Sequence, residues 1–357
     1  MLYGLVQAQE QLVGISVAVV LFNDGILARK LREVGIELHI VPESTLGVGR
    51  LINATRKIIR RISPDVVHTH RLKEDIIGAL ATIMTGANCR VRTVHGVDES
   101  NLTPMRAVVR ILHRAIVRHR FALTIAVSRS LAQCTAKVVD DRKVRYIPNG
   151  LDTATISAVP DTAARNDDSA IAVGIVGRLV SVKRVDVFLR AAALATTSAT
   201  NRFEFRVYGE GPKERELLEL ADELGLQRVV RFMGFTQDIT EAMQQLDLLC
   251  LTSDSEGLPM VVLEAMAIGV PVIASAVGDI PEVLENGACG TLIESGESAR
   301  FAEEIVRFSI APEHFLSKCE RAAQRVRQAY SAQACAHKYI ESYQDAIEWS
   351  VGRRRRQ

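Results

Sequence analysis

The sequence is poor in aromatic residues, in net charge and in paired cysteines. Only 5% of its 357 residues are aromatic, with a single Trp. The 44 Lys and Arg nearly balance 42 Asp and Glu, leaving a net charge of +2. Neither an aromatic-lined strand-binding groove nor a general attraction for polyanions is expected, so no nucleic-acid partner is predicted. The six cysteines, Cys89, Cys134, Cys250, Cys289, Cys319 and Cys335, never fall at C-x-x-C spacing and have mostly apolar neighbours. That usage fits free thiols in a reducing compartment better than a disulfide framework or a zinc site. Residues 258–278 have the length of a membrane span, but Glu264, Gly269 and Pro271 interrupt them. The start shows no basic segment followed by an apolar one, as a secretory signal would. A cytoplasmic location is expected.

What is present is an apolar fraction of 48%, enough for two domain cores at this length. Apolar runs of strand length alternate with segments of helical periodicity. In the first half, strands are predicted at 15–22, 37–41, 66–70, 90–95, 123–127 and 145–148, with helices at 2–13, 25–34, 48–62, 75–85 and 104–121. Ser128 is a candidate N-cap for a further helix. In the second half, strands are predicted at 170–177, 203–208, 229–232, 247–252 and 270–275, helices at 185–194 and 259–268, helical structure over 298–328 and a final helix over 332–349. Such alternation implies α/β domains, each with a parallel sheet and helices on both faces. Asn149-Gly150 and the Pro-, Asp- and Ser-rich stretch to about 168 read as a linker. The predicted division is 1–157, 158–330, and 331–357 as a crossover helix with a basic tail.

The most informative stretch is 247–282, a strand, a glycine-containing loop, a helix and a second strand. Pro259 suits the first helical position and Gly269 terminates the helix. The loop before such a helix faces free N–H groups and the positive end of the helix dipole, a place for phosphate. Glu256 lies in that loop, with Gly257, Leu258 and Pro259. Glu264 sits inside the helix among Val261, Val262, Leu263, Ala265, Met266 and Ala267, roughly 7–8 Å along the axis. A carboxylate in so apolar a setting needs a partner or a ligand. A ribose attached to a diphosphate at the helix start would supply one.

The E-x7-E element of Glu256 and Glu264, followed by AMAIGVPVIAS and a G-x-x-E stretch, resembles the family 4 glycosyltransferases of the two-domain GT-B fold. Further matches occur in the family's order: HTH (68–70), TVHG (93–96), AVS (126–128), IPNGLD (147–152), GRLVSVKRVD (177–186), YGEGP (208–212) and RFMGF (231–235). Together they cover most of residues 15–300.

The resemblance implies two Rossmann-like domains facing a cleft, and a nucleotide-sugar donor held by the second. It implies that Arg178 and Lys183 bind the diphosphate and stabilise the leaving group, charges that would otherwise read as ordinary surface. Gly209, Gly234, Glu256, Gly257, Leu258 and Pro259 would complete the donor site, Glu264 would bind the ribose, and Glu256 and His95 would contact the transferred sugar as catalytic residues beside Arg178 and Lys183. Asp254-Ser255-Glu256 only approaches an Asp-x-Asp motif, so neither a metal nor another cofactor is expected. Transfer with retention to a glycan or lipid-linked acceptor is implied. Arg106, Arg110, Arg114 and Arg118 repeat every four residues on one helix, which predicts either a solvated face or peripheral attachment to an anionic inner membrane surface. His68 and His70 share a strand face. Family members begin with a strand and a glycine-rich loop, which this sequence lacks. An exposed sheet edge or core gap in the first domain is therefore expected. Two alternatives stay open: a non-hydrolysing sugar-nucleotide epimerase, and a catalytically impaired nucleotide-sugar-binding subunit.

Overall fold

The structure, a computed structural model, describes residues 2–96, 104–153, 170–198 and 202–354, without the side chains of 104–107 and 352–354. It divides into two compact units, Leu151–Ser331 and the combination of Met1–Gly150 with Ala332–Gln357. Most of the predicted linker, 154–168, lies outside the described residues.

The first unit begins with α1 (Leu2–Glu10), β1 (Ala18–Leu21), α2 (Ile26–Glu33), β2 (Glu37–Ile40) and α3 (Val48–Ile62). It continues through β3 (Val66–Thr69), α4 (Leu72–Ala81), β4 (Cys89–Val94), α5 (Pro104–Arg120), β5 (Leu123–Ala126), α6 (Arg129–Ala136) and β6 (Val144–Tyr146). Ser128 caps α6 by accepting from the Leu131 amide at 3.2 Å. All strand pairs are parallel, but they form two sheets, β1-β2 and β3-β4-β5-β6. Among the described residues β1 pairs only with β2 and β3 only with β4, so each presents an unpaired edge. Helix α1 packs on both halves: Leu5 joins Val91 and Ile125, while Val6 joins Leu31 and Ile36.

Helices α4 and α5 are held to this layer by a buried carboxylate. Asp75, fully buried, pairs with Arg92 Nε and His113 Nε2, each at 2.8 Å, and accepts from the Thr69 hydroxyl at 2.5 Å. Asp75→Ala would leave Arg92 buried without its counter-charge. It is expected to destabilise the unit by about 3–5 kcal/mol in chemical denaturation.

The second unit runs β7 (Ile171–Val176), α7 (Val185–Ser198), β8 (Phe203–Tyr208), α8 (Glu214–Glu223), β9 (Val230–Gly234), α9 (Ile239–Gln244) and β10 (Leu248–Leu251). There follow α10 (Met260–Ile268), β11 (Val272–Ser275), α11 (Ile280–Val283), β12 (Thr291–Ile293), α12 (Ser298–Ile310), α13 (Pro312–Leu316) and α14 (Cys319–Arg325). The segment predicted as continuously helical over 298–328 is thus three helices and a π-helical turn, Val326–Tyr330, with a break where Pro312 starts α13. The final helix, α15 (Ala332–Arg354), belongs to the first unit, where Cys335, Ala336 and Tyr339 join its core.

The second sheet is wholly parallel, in the order β12-β11-β10-β7-β8-β9. Its largely apolar strands are covered on both faces, by Phe188, Leu189 and Phe301 on one and by Met243, Val262 and Met266 on the other. This order decides where a ligand goes. From β7 the chain builds outward through β8 and β9, then returns to lay β10 on the opposite side of β7. The loops after β7 and β10 therefore diverge at a switch point, where open parallel sheets leave a crevice at the carboxyl ends of their strands.

Candidate functional site

The loop after β7 carries Arg178 and Lys183; the loop after β10 carries Glu256, Gly257, Leu258 and Pro259. The fold brings these two loops together, although some 70 residues separate them in sequence. Lys183 Nζ donates to Glu256 Oε1 at 2.5 Å, and the Ser253 hydroxyl donates to the same oxygen at 2.6 Å. Both partners are largely covered, with 23% and 10% of their side chains exposed. Arg178 is exposed and makes no ion pair or side-chain hydrogen bond with a described residue. Its guanidinium is thus available to an anion.

Helix α10 starts one residue later than predicted. Pro259 is its N-cap, with extended backbone and no side-chain capping bond, and Met260 is the first helical residue. The ring cannot cap, so the first-turn amides have no side-chain acceptor and suit an external anion. Gly269 closes the helix in the left-handed conformation at φ 96°. The helix is not buried all round, as its composition suggests. Val262, Leu263, Ala265, Met266 and Ile268 are buried, while Met260, Val261, Glu264 and Ala267 form a half-open stripe. Glu264 lies on that stripe, about 6 Å along the axis from Met260 at 1.5 Å per residue. It has no ion pair or hydrogen bond among the described residues, and burial pushes its carboxyl above the ordinary range. A half-buried, unpartnered acid one turn from an uncapped helix start is a ready acceptor for a polyol.

Backbone contacts explain the glycines. Gly209, with φ 131°, sits where a Cβ would overlap the Gly177 carbonyl oxygen. Its amide donates to the Gly234 carbonyl at 2.8 Å, so the turns after β7, β8 and β9 are stacked main chain on main chain. Gly278, with φ 56°, lies equally close to the Glu256 carbonyl oxygen. Leu258 is buried in the core beneath the loop, and Phe235 stands out of the β9 turn with 67% exposure.

Reading the sequence alone misses the residues that tie these loops together. Arg184, Asp186, Thr252, Ser253, Asp254 and Ser295 form one hydrogen-bonded group. Only the Arg184-x-Asp186 spacing is visible locally; the partners Asp254 and Ser295 lie 70 and 111 positions from Arg184 along the chain, a relation that no periodicity encodes. Asp254, the first residue of the incomplete Asp-x-Asp, is already engaged by Arg184 and Ser295.

In the first unit, His95 follows β4 and His70 follows β3. His70 Nδ1 lies 3.1 Å from His95 Nε2 with the rings stacked. His68 is held by the Tyr343 hydroxyl at 2.7 Å and the Thr93 hydroxyl at 2.8 Å, rather than aimed at a ligand. Burial lowers all three imidazole pKa values, that of His70 to about 4. Around neutral pH His95 is therefore a neutral ring able to give or take one hydrogen bond. On α5, Arg114 and Arg118 are exposed and Arg110 is half-buried; the side chain of Arg106 lies outside the described residues. Val117 and Phe121 are packed inside, whereas Val108, Ile111 and Leu112 are more than half exposed.

A doubly wound sheet with a cation, an uncapped helix start and an unpartnered carboxylate around its switch point is an arrangement suited to a nucleotide diphosphate. Comparison with known proteins gives that arrangement a family. The description Glycosyl transferases group 1 matches residues 162–329, and Glycosyltransferase Family 4 matches residues 1–155. The chain belongs to the family 4 glycosyltransferases of GT-B fold and is a glycosyltransferase using a nucleotide-sugar donor.

Among its relatives is the N-acetyl-alpha-D-glucosaminyl L-malate synthase of Bacillus anthracis, 27% identical over 304 residues, covering 83% of this chain and 79% of the relative. Another is the UDP-Gal:alpha-D-GlcNAc-diphosphoundecaprenol alpha-1,3-galactosyltransferase of Escherichia coli, 25% identical over 262 residues, covering 70% and 68%. Anabaena HepE in complex with UDP has a similar structure, with a TM-score of 0.78 at 22% identity over 96% of this chain and 94% of that one. The lipopolysaccharide outer core galactosyltransferase WaaB superposes with a TM-score of 0.69 at 19% identity over 97% and 94%. Among the described residues no helix is long and apolar enough to cross a membrane.

Proposed function

We propose that the protein transfers a sugar, with retention and without a metal ion, from a nucleotide-sugar donor to a glycan or lipid-linked acceptor. The observation that carries this reading is the convergence of Arg178, Lys183, the α10 start and Glu264 at the switch point of the second sheet. Arg178 and Lys183 neutralise the diphosphate, and Glu264 accepts hydrogen bonds from the ribose hydroxyls. Gly209, Gly234 and the Glu256–Pro259 loop border the same site, and Phe235 offers a face to the base. His95 contacts the sugar as a neutral imidazole. The bond from the anomeric carbon to the diphosphate oxygen breaks while the acceptor oxygen bonds to the same face of that carbon. The acceptor proton passes to the departing diphosphate.

Fixed cations and helix dipoles stabilise that leaving group as a metal would. Metal independence is supported by Asp254 being committed to Arg184 and Ser295. UDP and UDP-glucose are bound by HepE, and the named E. coli relative acts on a lipid diphosphate. They support a UDP-sugar as the first donor to try and a lipid-linked acceptor.

Peripheral attachment to the inner face of the membrane is the corresponding location. It is supported by exposed Val108, Ile111 and Leu112 beside Arg114 and Arg118 on α5. Neither the epimerase nor the impaired-subunit alternative has a specific observation in its favour. The test is a screen of UDP-, GDP- and ADP-sugars with and without EDTA, with the product anomer read by NMR. Inversion, loss of turnover in EDTA, or nucleotide release with sugar deuteration and no transfer would each overturn the corresponding element.

Donor affinity should also depend on pH in a defined direction. Glu264 accepts hydrogen bonds well only when ionised, and its pKa is raised by burial. Affinity for a nucleotide sugar, whose diphosphate diester does not titrate there, should fall as pH drops through a value above the usual 4.5. Titration calorimetry at descending pH from 7.5 should show that decline in the wild type and not in Glu264→Gln.

A further inference from the structure

Arg184 adopts φ 48° and ψ 45°, the left-handed region that favours glycine, at the end of the short turn containing Lys183. A residue with a Cβ is held there only when its surroundings demand it. The demand is visible. Arg184 Nε and Nη2 donate to the two oxygens of Asp186 at 3.0 and 3.1 Å. Its Nη1 donates to both oxygens of Asp254 at 3.0 and 3.1 Å. The Thr252 hydroxyl donates to the carbonyls of Lys183 and Arg184 at 3.1 and 2.8 Å, and the Asp254 amide donates to the Val182 carbonyl at 2.9 Å. The Ser295 hydroxyl, in the loop after β12, donates to Asp254 Oδ1 at 2.6 Å. Hydrogen bonds from Ser295 and then Arg184 hold the Asp254 carboxyl below its ordinary range, so it is ionised throughout the working pH range. One guanidinium therefore joins the loops after β7 and β10 and faces two carboxylates that would otherwise repel an incoming diphosphate.

We propose that Arg184 is a positioning residue for the donor diphosphate, clamping the loop that presents Lys183 and neutralising Asp186 and Asp254 beside it. The inference rests on the nucleotide-sugar reading of this site. Arg184 does not touch the ligand; it acts through Lys183 and through the charges it cancels.

The test uses the full chain and whichever of UDP, GDP and ADP the wild type binds most tightly. Arg184→Gly relieves the backbone strain, so thermal stability should hold within about 3 °C. Nucleotide Kd should rise at least 10-fold, with donor KM rising in step while kcat at saturation changes less than 3-fold. Arg184→Lys, which keeps the charge but not the fork, should lose affinity by an intermediate factor. Asp254→Asn should recover part of the affinity in the Arg184→Gly background and none in the wild type. Lys183→Ala is measured in parallel. If it weakens binding while Arg184→Gly binds within 2-fold of wild type, the positioning role is refuted and the site reading stands. If neither variant changes affinity, the site reading itself fails. Should Arg184→Gly not fold, Arg184→Lys decides, and an affinity equal to wild type refutes the proposal.

Discussion

Lys183→Ala is expected to weaken nucleotide-sugar binding by roughly 10- to 100-fold, and Glu264→Gln by about 10-fold, both read by titration calorimetry. The Lys183 figure follows from a charge-assisted hydrogen bond, worth about 1.5–3 kcal/mol in a sheltered site. A second effect acts in the same direction. Without the ammonium, Glu256 keeps its carboxylate next to the diphosphate site with only the Ser253 hydroxyl for company. For Glu264 the effect on the empty protein has the opposite sign. Its ionised form is disfavoured by burial and has no partner, so the amide should leave stability unchanged or slightly raised. A thermal shift upward with weaker donor binding is the signature of a residue kept for its ligand. If both variants bind donor like the wild type, the site is misplaced.

Gly278→Ala should remove nearly all transfer activity, by about 100-fold or more, and lower the melting temperature by several degrees. Two effects combine at this position. The left-handed backbone at φ 56° is strained by any Cβ, which costs about 1 kcal/mol. In addition the new carbon would overlap the carbonyl oxygen of Glu256, so that loop must move. A displacement of even 1 Å at a reacting centre is enough for a 100-fold loss. Gly269→Ala separates the two effects. Its φ of 96° carries the same strain, but nothing lies within 4 Å of the added carbon. It should lose about 1 kcal/mol of stability and keep its activity. Equal activity losses in the two variants would show that backbone strain, and not the Glu256 loop, is what matters.

Much of this architecture is legible in the amino-acid sequence. The strands β4, β7, β8 and β10 are bounded within a residue or two, because β7 and β10 are short blocks of apolar residues and β4 and β8 alternate apolar with polar residues, each closed by polar or glycine residues. The start of α10 is legible for a similar reason. A proline followed by an apolar segment and a terminal glycine marks a helix, and the loop before it marks an anion site. The errors are equally physical. Helix α10 reads as apolar all round, with Glu264 as the single exception, so its composition cannot say which stripe stays open. On α5 the four-residue repeat of arginines marks an exposed side but does not say which apolar residues pack: Val117 and Phe121 fill the core, while Val108 and Leu112 stay outside. Asp75 gives no sign of its role, because its partners Arg92 and His113 lie 17 and 38 residues away.

By itself the sequence determined most of the strands and helices in their order, the parallel α/β class, the family, and which loops and helix carry Lys183, Glu256 and Glu264. These depend on interactions over a few residues, which leave a readable period or spacing. The tertiary structure alone decided that β7 and β10 are neighbours, that Lys183 meets Glu256, and that Arg184 joins Asp186 to Asp254 with Ser295 closing the group. It also decided that the first unit carries two sheets with unpaired edges at β1 and β3 among the described residues. Such contacts join residues far apart in the chain, and they are selected by the burial and pairing of whole strands, which no single stretch of sequence contains.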